Sequence, residues 1–292
     1  MTTDDWLAGR FDSERSHLRA VAYRMLGSLA EADDAVQETW LRVSRAGPDD
    51  VDNLRGWLTT IIARVSLNML RSRNRRREES LGLHLPDPVV SGDDQLQPEE
   101  EALLADSVSL ALLVVLDTLS PAERLAFVLH DTFELPFEEI APMIGRTPAA
   151  ARQLASRARR RVRGAEIPDA DPDRRRQRQV VDAFFRATRG GDFEELVRLL
   201  DPDVVLRADF GSKRREASTV VRGVAAVTRH ARWIPGSSVR PVLVNGAAGA
   251  LISINGRPFA VMRFTVVDGR IKEIDAIADP ERVGAIAASG LA

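Results

Sequence analysis

Residues 134–163 read ELPFEEIAPMIGRTPAAARQLASRARRRVR. A short amphipathic segment puts Phe137, Ile140, Met143 and Ile144 on one side and stops at Gly145, a residue type that readily adopts the left-handed conformation ending a helix. Thr147 and Pro148 then restart the chain as N-cap and first helical residue. The second helix has only a thin apolar stripe, Ala151, Leu154, Ala158 and Val162. Its remaining surface carries Arg152, Gln153, Ser156, Arg157, Arg159, Arg160, Arg161 and Arg163. Helix, glycine turn and polar-basic helix is the pattern of a helix-turn-helix whose second helix lies in a DNA major groove. A run of charge alone describes a solvated face. Here the arginines come with Gln153 and Ser156, which can reach base edges, and with alanines small enough for close approach to a duplex. DNA binding is therefore the expectation for this stretch. Pro142 removes a donor and crowds the carbonyl of Glu138, which predicts a bend in the first helix.

The whole-chain charge hides this feature. A formal net charge of −2 over 292 residues does not suggest a nucleic-acid binder, but arginines crowd 71–77 and 152–163 while acids crowd 93–106. Local patches decide binding, not the sum. Lys213 and Lys272 are the only lysines, so nearly all positive charge is guanidinium, which suits phosphate and guanine. With no cysteine, disulfides and thiolate metal sites are excluded, and no metal or cofactor is expected. The N-terminus lacks the basic start and apolar core of a signal peptide, and the apolar run at 110–116 is too short to span a bilayer. The reading is a cytoplasmic protein without membrane association, long enough for two or three domains.

Upstream, the period is helical from Trp6 to about Arg77. Phe11, Leu18, Val21, Ala22 and Met25 mark one helix, and Ser28 with Glu31 forms a capping-box pattern opening the next. In that second helix Ala32, Val36, Trp40 and Val43 make a buried stripe. Asp33, Asp34, Gln37, Glu38 and Leu41 lie on other faces, an acidic surface carrying one leucine. A turn-rich loop, 45–53, leads into a third helix. There Leu54, Trp57, Leu58, Ile61, Ile62, Val65 and Met69 bury, and Thr60, Arg64, Asn68 and Arg71 form a polar-basic side. The arginines at its end suit the helix dipole as much as a phosphate backbone.

Residues 78–101 lose the periodicity and read as a linker. Leu83, Leu85, Val89 and Val90 are unusual in a free linker and hint that it docks. Helix returns from about Glu99 to Leu119. Ser120-Pro121-Ala122-Glu123 then starts another with N-cap, first-turn proline and capping-box glutamate.

After a second break at 166–173 the pattern changes. Val180, Val181, Phe184 and Phe185, then Phe193, Leu196, Val197 and Leu200, read as two short helices. A strand around 204–209, a helix over 224–233 and four alternating runs follow. The runs are separated by Asn245-Gly246, Asn255-Gly256 and Asp268-Gly269, strong hairpin signals. Helices followed by an antiparallel meander indicate an α+β domain with a curved sheet around a helix, whose concave face is a natural small-molecule pocket.

The combination resembles an extracytoplasmic-function (group IV) sigma factor of bacterial RNA polymerase, in the SigJ-like branch that carries a C-terminal SnoaL-like domain. The residues that carry the resemblance are Tyr23-Arg24-Met25-Leu26-Gly27-Ser28 and the run from Glu31 to Leu41. Gly56-Trp57-Leu58, Leu119 to Arg124 and Gly145 to Leu154 continue it. It implies a multidomain chain: two all-α sigma domains, the second with the helix-turn-helix, then an α+β SnoaL-like cone of the ketosteroid isomerase and nuclear transport factor two type. The implied boundaries are region 2 over 1–80, a linker over 81–104, region 4 over 105–167, a linker over 168–175, and the SnoaL-like domain over 176–292.

The implied partners are core RNA polymerase, through its β′ clamp helices and β flap, and promoter DNA. An unidentified small-molecule ligand of the SnoaL-like domain is a further possibility. Asp33, Asp34, Gln37, Glu38 and Leu41 become the polymerase-binding face. Asn53, Arg55, Thr60, Arg64, Asn68 and Arg71 would read the −10 element as a separated strand with a flipped base. Arg146, Thr147, Ala149, Arg152, Gln153, Ser156, Arg157 and Arg160 would read the −35 element as duplex.

The branch's Trp-Leu-Pro-Glu-Pro linker pattern stands here as Leu83-His84-Leu85-Pro86-Asp87-Pro88, without the tryptophan. Its Asp-Gly-Gly-Gly-Lys motif stands as Asp209-Phe210-Gly211-Ser212-Lys213. Asn255-Gly256-Arg257-Pro258 resembles a second motif, and Asp279-Pro280-Glu281-Arg282 loosely resembles a terminal one. Leu85, Pro86, Asp87, Pro88, Asp209, Gly211, Lys213, Asn255 and Gly256 are thus the expected regulatory or pocket residues.

Two other readings compete. A one-component helix-turn-helix regulator with a ligand-sensing domain explains 134–163 and the C-terminal pocket, but leaves the first eighty residues without a purpose. An enzyme would need Asp209 as a general base, and the residues favour an aspartate paired with Lys213 across a turn. His230 beside Trp233 is a lone helical histidine, and no second acid-base group converges with either, so no catalytic residue is assigned.

Overall fold

Three long helices open the chain because their apolar residues recur every three or four positions. In a computed structural model that describes residues 3–46, 53–77, 83–92, 110–165, 167–168 and 170–290, these are α1 (Thr3–Leu26), α2 (Leu29–Ala46) and α3 (Leu54–Arg77). Leu18, Val21, Ala22 and Met25 of α1 are buried with Ala32, Val36 and Val43 of α2 and Leu58, Ile62 and Val65 of α3. The Glu31 amide donates to Ser28 Oγ at 3.4 Å, as the capping pattern predicts, but the Glu31 carboxylate accepts from Arg73 at 2.9 Å. Trp57, expected in the core, is half-buried.

The second helical module contains α4 (Leu110–Asp117), α5 (Pro121–Phe127), a π-helical turn (Val128–Thr132), α6 (Phe137–Ile144) and α7 (Pro148–Gly164). The expected start of helix near Glu99 lies outside the described residues. Ser120 and Glu123 form both halves of the capping box. Gly145 takes φ 63° and ψ 43°, the left-handed geometry that lets α6 end and α7 begin at once. Helix α6 continues through the exposed Pro142.

The two helical modules belong to one compact unit. Asp117 is their shared anchor: it accepts from Arg73 of α3 and from Arg124 of α5, each at 3.1 Å. Arg124, almost fully buried, also donates to the carbonyl of Arg24 in α1 at 3.1 Å. A buried guanidinium is tolerated because its partners replace the water it has lost.

The other unit combines residues 80–109 with 168–292. It contains β1 (Val90–Gly92), α8 (Arg174–Gly190), α9 (Phe193–Leu199), β2 (Leu200–Asp209), a 3₁₀ turn (Ser212–Ala217), β3 (Thr219–Arg222) and α10 (Val224–His230). It closes with β4 (Ser237–Val244), β5 (Ala247–Ile254), β6 (Arg257–Val267), β7 (Arg270–Ile277) and α11 (Pro280–Gly290). The sheet order is β1-β4-β5-β6-β7-β2-β3. Strands β2 and β7 pair in parallel, and every other neighbouring pair is antiparallel.

The three predicted hairpins all form. Asn245, Asn255 and Asp268 have φ of 49°, 50° and 50°, each followed by a glycine at 73–75°, so two-residue turns set the register of the meander. Val181 and Phe184 of α8 pack on Leu206, Phe264 and Ile274 of the sheet. The first of the two expected short helices, α8, is 17 residues long. The added seventh strand, β1, comes from the stretch expected to be a linker, where the apolar Leu83, Leu85, Val89 and Val90 hint at docking but not at a strand.

Candidate functional site

Helix α2 presents the acidic face outward. Asp33, Asp34 and Gln37 are exposed, and Leu41 is 42% exposed despite its size. Arg19 donates to both Asp33 oxygens at 2.6 and 3.0 Å, and Arg42 to Glu38 at 2.8 Å, which fixes two carboxylates without covering the leucine. An exposed leucine on a helix face that also carries carboxylates suits a small polar protein-binding patch.

On α3, Thr60, Arg64, Asn68 and Arg71 fall at helical spacing on one side, with Arg64, Asn68 and Arg71 exposed. Asn53 caps the same end by accepting from the Gly56 amide at 3.0 Å. Arg55 does not join them. Five residues before Thr60, it lies toward α1, with Nη2 at 3.0 Å from His17 Nδ1 and Nε at 3.6 Å from Glu14. Arg55 is thus set apart from the stripe of Thr60, Arg64, Asn68 and Arg71, although it lines a cavity together with Asn53. Burial, with the Arg55 and Arg24 guanidiniums beside it, pulls His17 from 6.5 down to about 4. Its ring meets Phe133 of the second module edge-on at 5.2 Å.

Helix α7 is held from behind and bare in front. Ala151, Ala155 and Ala158 are fully buried, while Leu154 and Val162, expected in the stripe, are half-buried, because a helix this close to its neighbours accommodates methyl groups best. Thr147 Oγ1 accepts from the Ala150 amide at 3.2 Å. Arg146, Ala149, Arg152, Gln153, Arg157 and Arg160 are exposed, and Ser156 is half-exposed. Arg152 lies over the Phe137 ring at 5.2 Å. Glu123 is within 3.5 Å of Arg157 and 3.2 Å of Arg161. Burial works against its charge, but donors from Ser120 and these two arginines hold its carboxyl below the usual range. Arg159, paired with Asp131 at 2.5 Å, is turned from the open face.

In the C-terminal unit the expected regulatory residues separate into two places. Asp209, 0% exposed, ends β2 and accepts from the Leu85 amide at 2.8 Å, from the Gly211 amide at 2.9 Å and from Arg282 at 2.7 Å. The Arg282 guanidinium also donates to Asp87 at 2.5 Å and to the Leu85 carbonyl at 2.5 Å. Pro86 and Pro88 are buried beside them. Further along, the Val89 amide donates to Asn245 Oδ1 at 3.0 Å before β1 joins the sheet. Gly211 is required here: with φ 78°, any Cβ would lie 1.7 Å from an Asp279 oxygen.

The expected pairing of Asp209 with Lys213 is wrong. Lys213 is exposed and bonds Glu281, because the turn after Gly211 carries it away from the buried carboxylate. Asn255 and Gly256 form the β5–β6 turn at the opposite end of β4 from Asn245, so they do not join the clamp. Arg282 and Asp279, which the sequence offered only as a loose motif match, and Asn245, read only as a hairpin residue, are the residues here that the sequence did not assign to the site.

Between the helices and the sheet lies a cavity of about 260 Å³. Leu206, Ala208 and Phe210 of β2 and its extension face it, whereas Arg207 and Asp209 point to the other side. Among the described residues lining it none is a carboxylate, so Asp209 cannot serve it as a base.

Two family models match the chain: Sigma-70 region 2 over residues 11–76 and Sigma-70, region 4 over residues 109–162. The chain is 40% identical over 288 residues to ECF RNA polymerase sigma factor SigJ of Mycobacterium tuberculosis, spanning 93% of this chain and 91% of that protein. It is 34% identical over 287 residues to the probable ECF RNA polymerase sigma factor SigI of the same species, with 96% of each covered. The crystal structure of M. tuberculosis SigJ matches with a TM-score of 0.72 at 35% identity, covering 95% of this chain and 98% of that one.

Proposed function

The chain belongs to the extracytoplasmic-function RNA polymerase sigma factors, and from this membership we propose how its surfaces divide the work of initiation. The exposed face of α2, with Asp33, Asp34, Gln37 and Glu38 around Leu41, docks on the clamp helices of core polymerase. Asn53, Thr60, Arg64, Asn68 and Arg71 meet the separated −10 strand. The outer face of α7, from Arg146 to Arg160, enters the major groove at −35, beside the polymerase flap. The protein works in the cytoplasm, where polymerase and chromosome are. What carries the reading is the presence in one chain of both modules: a one-component regulator would account for α7 but leave the α2 face unused.

The C-terminal unit regulates by holding the connector between the modules. Residues 83–92 are built into its sheet and its Asp209–Arg282 clamp, so they are withheld from any path through polymerase until released. The buried carboxylate serves as a structural anchor in this reading, not as a base.

Run-off transcription with purified core polymerase on a promoter library tests both parts. The full chain should initiate at one class of promoter, and a chain ending after Ile167 should give a severalfold different yield at the same start sites. If neither chain initiates, the division of labour fails at its base. Equal yields from the two would remove the regulatory role alone.

A further inference from the structure

The cavity of the C-terminal unit has a chemistry that the sigma function does not use. Its volume, about 260 Å³, exceeds the ~150 Å³ of an apolar cavity that accepts benzene. Rings dominate its lining: Phe184, Phe185, Phe210, Phe259 and Trp233. Met262, Ile274 and Leu206 add to a mostly apolar wall in which Arg232 is the one charged side chain other than His230 among the described lining residues, and a cavity so lined favours planar apolar matter over water. The lining is not uniform. Its polar members include Thr188, His230, Arg232 and Ser237, the last three belonging to the end of α10, the loop after it and the start of β4.

Among the described residues lining the cavity there is a guanidinium and no carboxylate. Arg232 is exposed and forms no ion pair among the described residues. Arg189 lies 4.5 Å above the Trp233 ring, adding a second guanidinium at the same end. Thr188 Oγ1 is occupied by the Phe184 carbonyl, so it offers a ligand an acceptor rather than its proton. A largely apolar, ring-bearing interior with a guanidinium in its lining and no lining carboxylate is matched by a molecule with a flat apolar body and an anionic end.

We propose that this cavity is a binding site for small hydrophobic organic acids of one or two rings, with the ring system among Phe184, Phe185 and Trp233 and the carboxylate beside Arg232. This goes beyond the role in initiation and does not depend on it. Strands β2 and β7 wall the cavity with one face and carry Asp209 and Asp275 on the other, so binding leaves the clamp residues free to keep their own partners.

Calorimetric titration of the full chain with 2-naphthoate, its methyl ester and 2-naphthylmethylamine tests the proposal without polymerase. Naphthoate should bind one to one, the ester several-fold more weakly, and the amine not at all. Arg232→Ala, at an exposed position, should weaken naphthoate by roughly fivefold, the size of a rim ion pair, and leave the ester unchanged. Ala276→Leu, which adds volume inside, should abolish binding of both. If that variant does not fold, exclusion by Met262→Phe provides the same reading. Absence of binding by the native chain overturns the site. Equal affinity for acid and ester, or indifference to Arg232→Ala, overturns the anionic specificity. A chain that binds nothing yet initiates transcription would end this proposal and leave the sigma assignment intact.

Discussion

Asp209 and Arg282 show how a single buried contact can change a residue's meaning. A carboxylate at a strand end invites a catalytic reading, yet its oxygens are taken by the Leu85 and Gly211 amides and by Arg282. Removing one partner of such a buried pair leaves the other uncompensated, which costs about 3 kcal/mol. Arg282→Ala should therefore destabilise the C-terminal unit by about that amount and speed exchange of the Leu85 amide, measured by hydrogen exchange. Lys213→Ala, which removes only an exposed pair, should do neither. Equal effects from the two would mean that Arg282 is not the clamp.

His17 is the titrating counterpart in the helical unit. Its folded value, about 4, lies below the ordinary 6.5, so the unfolded chain takes up the proton first. Stability from the neutral ring is fully present above pH 6.5 and is lost as pH falls toward 4. After allowing for partial exposure the loss is about 1 kcal/mol. Thermal melts of His17→Gln should show a shallower decline than the native chain across that window; superimposable slopes would refute the assignment.

Among the elements, α7 makes the clearest separation between positioning and reading. Its buried alanines seat the helix, Glu123 tethers Arg157 and Arg161, Gln153 is exposed, and Arg160 forms no ion pair among the described residues. A side chain that touches only phosphate weakens all sequences alike, whereas one that reaches a base edge changes preference. Arg160→Ala should lower affinity for −35 duplexes generally and reduce the salt slope by about 1. Gln153→Ala should instead relax discrimination at one or two base pairs, at about 1–3 kcal/mol each. Binding across a panel of duplex variants and salt concentrations distinguishes the two, and identical profiles would refute the division.

Helix α7 was also the most legible element. Gly145, Thr147 and Pro148 are local signals whose conformational reasons act within three residues, and the Asn-Gly and Asp-Gly turns of the meander are legible for the same reason. The clamp was not. Asp87 and Arg282 are 195 positions apart, and no periodicity links residues that meet through a sheet edge. What the sequence offered was indirect: apolar Leu85, Val89 and Val90 in a stretch otherwise fit for solvent. The placement of Arg55 was hidden for a different reason. The side chain has the right chemistry for DNA, but its position on α3 turns it toward His17, a matter of helical angle that composition does not weigh.

At the scale of the whole molecule, the connector is claimed by two interests. Its residues 83–92 complete the sheet of the C-terminal unit, while the same residues join two modules that must engage polymerase and promoter together. Binding to polymerase can release them only if the contacts it gains outweigh those the clamp and strand β1 lose. The Leu85 and Val89 amides report that balance directly, since their acceptors, Asp209 and Asn245, lie in the C-terminal unit. In the free chain both should exchange slowly. In the complex with core polymerase they should exchange at least about tenfold faster, the signature of a local opening made dominant by a partner. The Ala248 amide, bonded to Gln177 within the same unit, should stay protected and so exclude general unfolding. Should Leu85 and Val89 remain as protected in the complex as in the free chain, the C-terminal unit keeps its seventh strand during initiation, and regulation by release of the connector is wrong.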